Sequence, residues 1–194
     1  MNYFKSRSEI SSHILKKQLR NKNSFLSKGF IGELKKEAIA FQNGFSNAGI
    51  DITFYEKYIN VVSHPQYQML RLYNHHNGAS IYDHNVKVAY LSFKIGKRLK
   101  LRLDDIVRGA LLHDFFFYDW RKQKPKNGGL HGIEHPKESM ENAIRFYSPL
   151  SSVEKDIILK HMWPLTIVPP LYVESLIVCL VDKVVALLEF AGKI

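Results

Sequence analysis

The sequence predicts an all-α fold. Apolar residues recur at helical spacing through its second half, two capping boxes mark helix starts, and no segment shows sustained period-two alternation. Ser80 with Asp83 forms the first capping box and Ser151 with Glu154 the second. The run Phe115–Tyr118 is compatible with a short strand, but a packed helix end is the simpler interpretation.

The composition predicts a globular protein with a basic surface. Hydrophobic residues make up 45% of the 194 residues, enough for a sizeable core. Lys and Arg number 28 against 18 Asp and Glu, a net charge of +10. That surplus favours anionic partners such as nucleotides or nucleic acid, although a surface selected for solubility explains it equally well. Cys179 is the single cysteine, which suits a reducing cytoplasm and predicts a core residue rather than a nucleophile.

We divide the chain into a basic helical extension over residues 1–65 and a helical domain over residues 66–194. The extension contains no catalytic motif, and its lysines are too scattered to favour a nucleic-acid surface. Nothing in it resembles a signal peptide. The most apolar stretch, Tyr172–Phe190, carries four charged residues, so we expect a buried core helix and no membrane span. The expected location is the cytoplasm.

Histidine and aspartate side chains recur on the predicted buried faces. His84 lies on the apolar stripe of a helix from Ser80 to about Arg98, and the adjacent His113 and Asp114 face inward on a helix that begins near Asp104 or Asp105. His135 precedes Pro136 and so marks a helix entrance.

Two further residues extend this pattern. His161 shares a face with Ile157, and Asp182 lies in the middle of the last, apolar helix. A carboxylate buried there is unfavourable without a cation or several donors. A shared cation would satisfy all of these inward-facing groups.

These residues carry a family resemblance. The run LLHDFFFYDW resembles the signature of the HD superfamily, helical metal-dependent phosphohydrolases named for an adjacent His-Asp pair. Their ordered pattern H…HD…H…H…D is matched by His84, His113, Asp114, His135, His161 and Asp182. The resemblance covers about residues 66–190 and includes the contexts YDHNVKVAY, HPKESMENA, ILKHMWP and VDKVVALLE. The chain has no GYP tripeptide, which lowers the expectation of a cyclic-dinucleotide substrate.

The resemblance implies a metal site and an activity. One metal would be held by His84, His113, Asp114 and Asp182, and a second by His135 and His161 with Asp114 bridging. In the alternative, His135 and His161 contact the substrate phosphate beside a single metal. The implied reaction is hydrolysis of a phosphate ester, a nucleotide or related small molecule, by a metal-bound hydroxide, with His113 and Asp114 as the catalytic pair. The donors are all nitrogen or oxygen, which suits Fe, Mn, Zn, Co or Ni without distinguishing them. The resemblance also does not distinguish a phosphomonoesterase from a phosphodiesterase.

Four residues are expected to contact the substrate. Lys87 lies one turn from His84, while Arg121 and Lys122 follow the His-Asp pair in a loop, and His131 flanks His135. Each could bind an anionic substrate, and each could instead be an ordinary solvated or supporting residue.

Two other functions compete with hydrolysis. Some HD proteins with the same six ligands are mixed-valent di-iron oxygenases, and only the wider prevalence of hydrolases favours hydrolysis. A metal-stabilised nucleic-acid-binding or regulatory module is supported by the charge of +10. That module does not explain why the histidines and Asp182 face inward.

Overall fold

The structure, a computed structural model, describes residues 51–75 and 78–194. Its helices are α1 (Ile52–Val62), α2 (Pro65–Gln68) continued by a 3₁₀ turn (Met69–Leu72), α3 (Ile81–Leu99), α4 (Leu103–Leu112), α5 (His131–Tyr147), α6 (Ser152–Lys160) and α7 (Val173–Phe190). Within these ranges there is no strand, and the only β pairing is an isolated bridge between Asn74 and Ser80. The all-α prediction is confirmed.

Both predicted capping boxes are present. At the start of α3 the Ser80 hydroxyl accepts from the Asp83 amide, and the Asp83 carboxylate accepts from the Ser80 amide. Ser151 and Glu154 make the same reciprocal pair at the start of α6. Since each box satisfies amides that the helix leaves open, the first turns of α3 and α6 are fixed by local sequence.

The core is organised around α3, which packs against α4 and α7, while α6 packs across α4 and α7. The approach of α4 to α6 is close at Gly109, where a Cβ atom would lie 2.5 Å from Cδ1 of Ile157. Cys179 is fully buried on α7, as expected of a core residue. This packing brings the ends of α4 and α6 and the middle of α7 around the first turn of α3.

Two local predictions are wrong. Helix α5 begins at His131, so His135 lies in its second turn rather than at its entrance, and Pro136 is inside the helix. A proline there cannot donate to the Gly132 carbonyl, and its ring crowds that carbonyl. The Phe115–Tyr118 run is neither strand nor helix end: α4 stops at Leu112, and an irregular segment buries the first two phenylalanines completely.

Most of the predicted N-terminal extension, residues 1–50, lies outside the described residues. Helix α1 belongs to the remainder of that extension, and it packs against α4 with Phe54 and Val61 in the common core. The boundary at residue 65 stays a prediction. Among the described residues, no helix is both long and apolar enough to cross a membrane.

Candidate metal centre

The structure brings the six sequence-predicted residues together, from five different helices or helix ends. His84 lies in the first turn of α3, His113 caps the end of α4 with Asp114 directly after it, His135 lies on α5, His161 caps the end of α6 and Asp182 lies on α7. All six are buried. For His84 and Asp182 the pattern was readable in sequence because each occupies an inward position of its own helix.

One group of donors contains His84, His113 and Asp182. His84 Nε2 is 3.1 Å from Asp182 Oδ1, and His113 Nε2 is 3.7 Å from the same oxygen. Oδ2 of Asp114 also lies 3.7 Å from His113 Nε2. His84, His113 and Asp182 each offer one donor atom, and these three atoms lie within 4.8 Å of one another, so they could hold one metal ion.

A second group contains Asp114, His135 and His161. Asp114 Oδ1 lies 3.1 Å from His135 Nε2 and 3.3 Å from His161 Nε2. The two imidazole nitrogens are 2.8 Å apart. Asp114 therefore turns one oxygen towards each group, as a carboxylate between two ions would.

The rings of His113, His135 and His161 are oriented with their Nε2 atoms towards the two donor groups. His113 donates its Nδ1–H to the Ala110 carbonyl at 2.7 Å, and His161 donates to the Ile158 carbonyl at 2.8 Å. His135 donates to the His131 carbonyl at 2.7 Å. Each bond fixes the ring and its tautomer, which leaves the Nε2 lone pair for a ligand, as in metal-binding histidines generally.

These residues fit a divalent metal on two observations. His113 Nε2 and Asp114 Oδ1 are buried without a hydrogen-bond partner, a costly state for polar atoms that a cation would relieve. The 2.8 Å between His135 Nε2 and His161 Nε2 is also close to the spacing of about 3 Å expected for two nitrogens on one ion. The donors are nitrogen and oxygen throughout, so borderline metals suit them.

Electrostatics keep both carboxylates ionised. Burial raises the pKa of Asp114, but the neighbouring imidazoles outweigh it and hold that pKa well below the usual range. The pKa of Asp182 is likewise well below its usual range, because His113 and His84 outweigh its burial. For His161, burial is the largest effect and lowers the pKa to about 4, so its imidazole is neutral and able to bind a metal.

Sequence reasoning missed Glu189. This carboxylate is buried on α7 and accepts from His84 Nδ1 at 2.8 Å. Burial lowers the pKa of His84, but Glu189 and Asp182 outweigh it and raise that pKa to about 10. A signal was present, since Glu189 follows Asp182 by seven residues and so shares its helix face.

The predicted substrate contact of Lys87 is not supported by its position. Its ammonium donates to Glu189 Oε1 at 3.1 Å and is nearly buried. Lys87 does not line the cavity beside the centre. It instead balances the charge of Glu189 behind His84.

Sequence reasoning also missed His75. Its Nε2 donates to Asp114 Oδ2 at 2.9 Å, and its ring centroid is 4.2 Å from that of His84. His75 lies in the loop before α3, where no periodic pattern marks a residue as inward-facing, so the sequence carried no signal for it.

A cavity of about 560 Å³ opens on the centre. Its walls are formed by His75, Asp114, Trp120, His131, His135, His161, Met162, Pro164, Leu165, Asp182, Lys183 and Ala186. The predicted contact His131 is thus in the wall, where its Nδ1 lies 2.8 Å from the Tyr118 hydroxyl and its ring stacks on Trp120.

The two other predicted contacts are elsewhere. Arg121 and Lys122 are exposed in the loop after Trp120 and do not line the cavity. Arg121 lies over the Trp120 ring at 5.3 Å from its centroid, and Lys122 pairs with Asp119 at 3.3 Å. Lys183 lines the cavity instead, although the sequence did not single it out. Its ammonium donates to the His161 carbonyl at 2.6 Å.

Comparison with known proteins identifies the family of the chain. No curated protein and no solved structure matched the chain significantly. A family model described as HD domain matches residues 81–187, which include all six residues of the predicted pattern. The chain therefore belongs to the HD domain family, within a superfamily of metal-dependent phosphohydrolases.

Proposed function

We propose that this protein hydrolyses a phosphate ester at a dinuclear metal centre. His84, His113, Asp114 and Asp182 would hold one ion, and His135 and His161 would hold the other together with Asp114. The substrate is a small phosphorylated molecule that enters the cavity of about 560 Å³, a size within the usual range for small-molecule sites.

One observation carries the proposal. Asp114 directs one oxygen to each of two groups of imidazole nitrogens, and His113, His135 and His161 are each held by a backbone carbonyl with Nε2 towards those groups. His113 Nε2 and Asp114 Oδ1 have no hydrogen-bond partner, and two groups of nitrogen and oxygen donors around one carboxylate are better explained by two ions than by protein hydrogen bonding alone. This arrangement also favours two ions over the alternative in which His135 and His161 only bind substrate.

The chain's own residues set the charge of the site. Lys87 balances Glu189, so Asp114 and Asp182 are the carboxylates left to face the ions. Two divalent ions against two carboxylates leave about two positive charges in excess, which attract a phosphate group. Lys183, 3.6 Å from Asp182 Oδ2, adds a further cation at the cavity wall.

When bound, the ions supply Lewis acidity and lower the pKa of water towards neutrality. In the hydrolysis a water oxygen bonds to phosphorus and the bond from phosphorus to the ester oxygen breaks. The alcohol leaves with one of the water's protons and the phosphate takes the other. The protein's part is to hold the phosphate in line with the attacking water, with the donors fixed beforehand by their backbone hydrogen bonds.

Phosphate release tests the proposal. Metal-stripped protein is supplied in turn with Mn, Fe, Zn, Co or Ni and assayed on a panel of phosphate esters, with oxygen consumption measured in parallel on the iron-loaded sample. We expect metal-dependent phosphate release that Asp114→Asn lowers at least about 1,000-fold, since one amide cannot serve both groups. His64→Ala is the matched control, because His64 caps α2 outside the centre.

Different outcomes select different functions. Oxygen consumption with no phosphate release would replace hydrolysis by the oxygenase alternative. Salt-dependent binding of nucleic acid, with no turnover of any ester, would favour the binding-module alternative.

A further inference from the structure

We propose that the substrate is a monophosphate ester of a small apolar or aromatic alcohol, and neither a polyphosphate nor a phosphodiester. This inference rests on the proposed hydrolase function and names the substrate class for the same site. It follows from the chemistry of the cavity lining, which combines the candidate metal ligands with a mostly apolar remainder.

The metal side of the cavity carries all the groups suited to one phosphate. Asp114, His135, His161 and Asp182 line it, and Lys183 lies at its edge. Lys183 is held there by its bond to the His161 carbonyl and by its proximity to Asp182. We infer that these groups bind one phosphate.

A second phosphate would find no lysine or arginine other than Lys183 in the described part of the cavity. The loop cations Arg121 and Lys122 are exposed and outside the lining, and Lys87 is engaged with Glu189. A nucleoside triphosphate would therefore place its further phosphates against a mostly apolar lining, where they lose hydration with little compensation.

Away from the candidate metal ligands the cavity lining is mostly apolar. Trp120, Met162, Pro164, Leu165 and Ala186 form this apolar wall, and His131, stacked on Trp120, and His75 are the other polar lining residues. Leu165 is 61% exposed and lies against Gly132, where a Cβ would be 2.6 Å from Leu165 Cδ2. Such a wall gains free energy from covering a hydrocarbon or ring, and offers few partners to the hydroxyl groups of a sugar.

The charge of the centre favours a monoester over a diester. Two divalent ions against Asp114 and Asp182, with Lys183 beside them, would leave a positive excess that a phosphomonoester dianion neutralises more fully than a singly charged diester. The cavity also offers one apolar wall, which suits one organic group on the phosphate.

A homologous series of n-alkyl phosphates tests the inference. Ethyl, butyl and hexyl phosphate have leaving groups of similar basicity and differ mainly in apolar length. We expect kcat/KM to rise about fourfold for each methylene that the wall covers, so that hexyl exceeds ethyl phosphate on the order of 100-fold. Propyl phosphate should exceed glycerol 1-phosphate, which has the same carbon skeleton with two hydroxyl groups. ATP and bis(p-nitrophenyl) phosphate should be poor substrates.

Wall variants connect the preference to named residues. Met162→Gln keeps the side-chain length and Leu165→Gln changes a largely exposed position, so both should fold. We expect each to flatten the chain-length dependence, so that the ratio of kcat/KM between hexyl and ethyl phosphate falls. Ile167→Gln is the control, because Ile167 is 94% exposed nearby but outside the lining.

The outcomes distinguish failure of the hydrolase function from failure of the substrate class. If no ester releases phosphate with any of the metals, both the proposed function and the inference are refuted. Phosphate release that is equal for ethyl and hexyl phosphate, or fastest with ATP or a diester, would overturn the inference and leave the hydrolase standing. A chain-length dependence that survives in both Met162→Gln and Leu165→Gln would also overturn it, since the wall named here would not be the one used.

Discussion

Replacing Glu189 by glutamine should weaken both the fold and metal binding, for separable reasons. The Glu189 carboxylate accepts from His84 Nδ1 at 2.8 Å with one oxygen and from Lys87 Nζ at 3.1 Å with the other. A glutamine has one acceptor oxygen and no charge, so it cannot serve both partners. The substitution leaves either the imidazole unoriented or the ammonium without its counter-ion.

The stability loss comes from Lys87. Its side chain is only 10% exposed, and breaking a buried ion pair by removing one partner costs about 3–5 kcal/mol. We take the lower end, about 3 kcal/mol, because the ammonium retains some contact with water. Adding Lys87→Met removes the uncompensated charge, so the double variant should recover most of the free energy of unfolding.

The metal-binding loss comes from His84 and should not be recovered. Removing a carboxylate that orients a metal-binding histidine lowers metal affinity about 10- to 100-fold. Urea unfolding in the presence of a chelator measures stability without metal, and competition titration measures affinity. Metal affinity restored to the wild-type value in the Glu189→Gln, Lys87→Met protein, or unchanged in Glu189→Gln alone, would refute the assignment of His84 as a ligand oriented by Glu189.

Three further predictions test the packing, an ion pair and a loop residue. Gly109→Ala places a Cβ 2.5 Å from Cδ1 of Ile157 and should lower the free energy of unfolding by about 1–3 kcal/mol, with Ile157→Val recovering part of it in a urea titration. Burial raises the pKa of Glu174, but hydrogen bonds from Arg102 outweigh it and hold that pKa below 4.5. The stabilisation by ionised Glu174 is therefore present above pH 4.5 and lost as the pH falls below it. Glu174→Gln should lower the free energy of unfolding by about 1 kcal/mol at pH 7, and variant and wild type should become equally stable in acid. An equal loss of stability at pH 3 would count against the ion pair of Glu174 with Arg102. His75→Ala removes the donor to Asp114 and should weaken metal binding about tenfold in a competition titration, with unchanged affinity contradicting that role.

The sequence was enough for the fold class and for the convergence of the six residues. Both rest on local rules: capping boxes at Ser80 and Ser151 set helix starts, and helical periodicity turned His84 and Asp182 inward. The family match over residues 81–187 confirms the resemblance on which their joint interpretation depended. Their roles as metal ligands stay predictions.

What the sequence did not predict depends on tertiary approach. His75 reaches Asp114 only because the loop before α3 folds over the end of α4. Lys87 meets Glu189 because the last turns of α7 lie beside α3, and that contact removes the lysine from the substrate side. The predicted start of α5 was wrong because proline is favoured at a first helical position, whereas here the helix begins at His131, five residues before Pro136.

Metal content per chain tests the central claim most directly. The protein is purified without added metal or chelator and analysed for elements beside Asp114→Ala, His161→Ala and the control His64→Ala. We predict about two metal ions per chain in the wild type and in the control, about one in His161→Ala and almost none in Asp114→Ala. If the wild type binds no metal, and supplying Mn, Fe, Zn, Co or Ni restores none, the dinuclear centre and the hydrolase built on it are wrong.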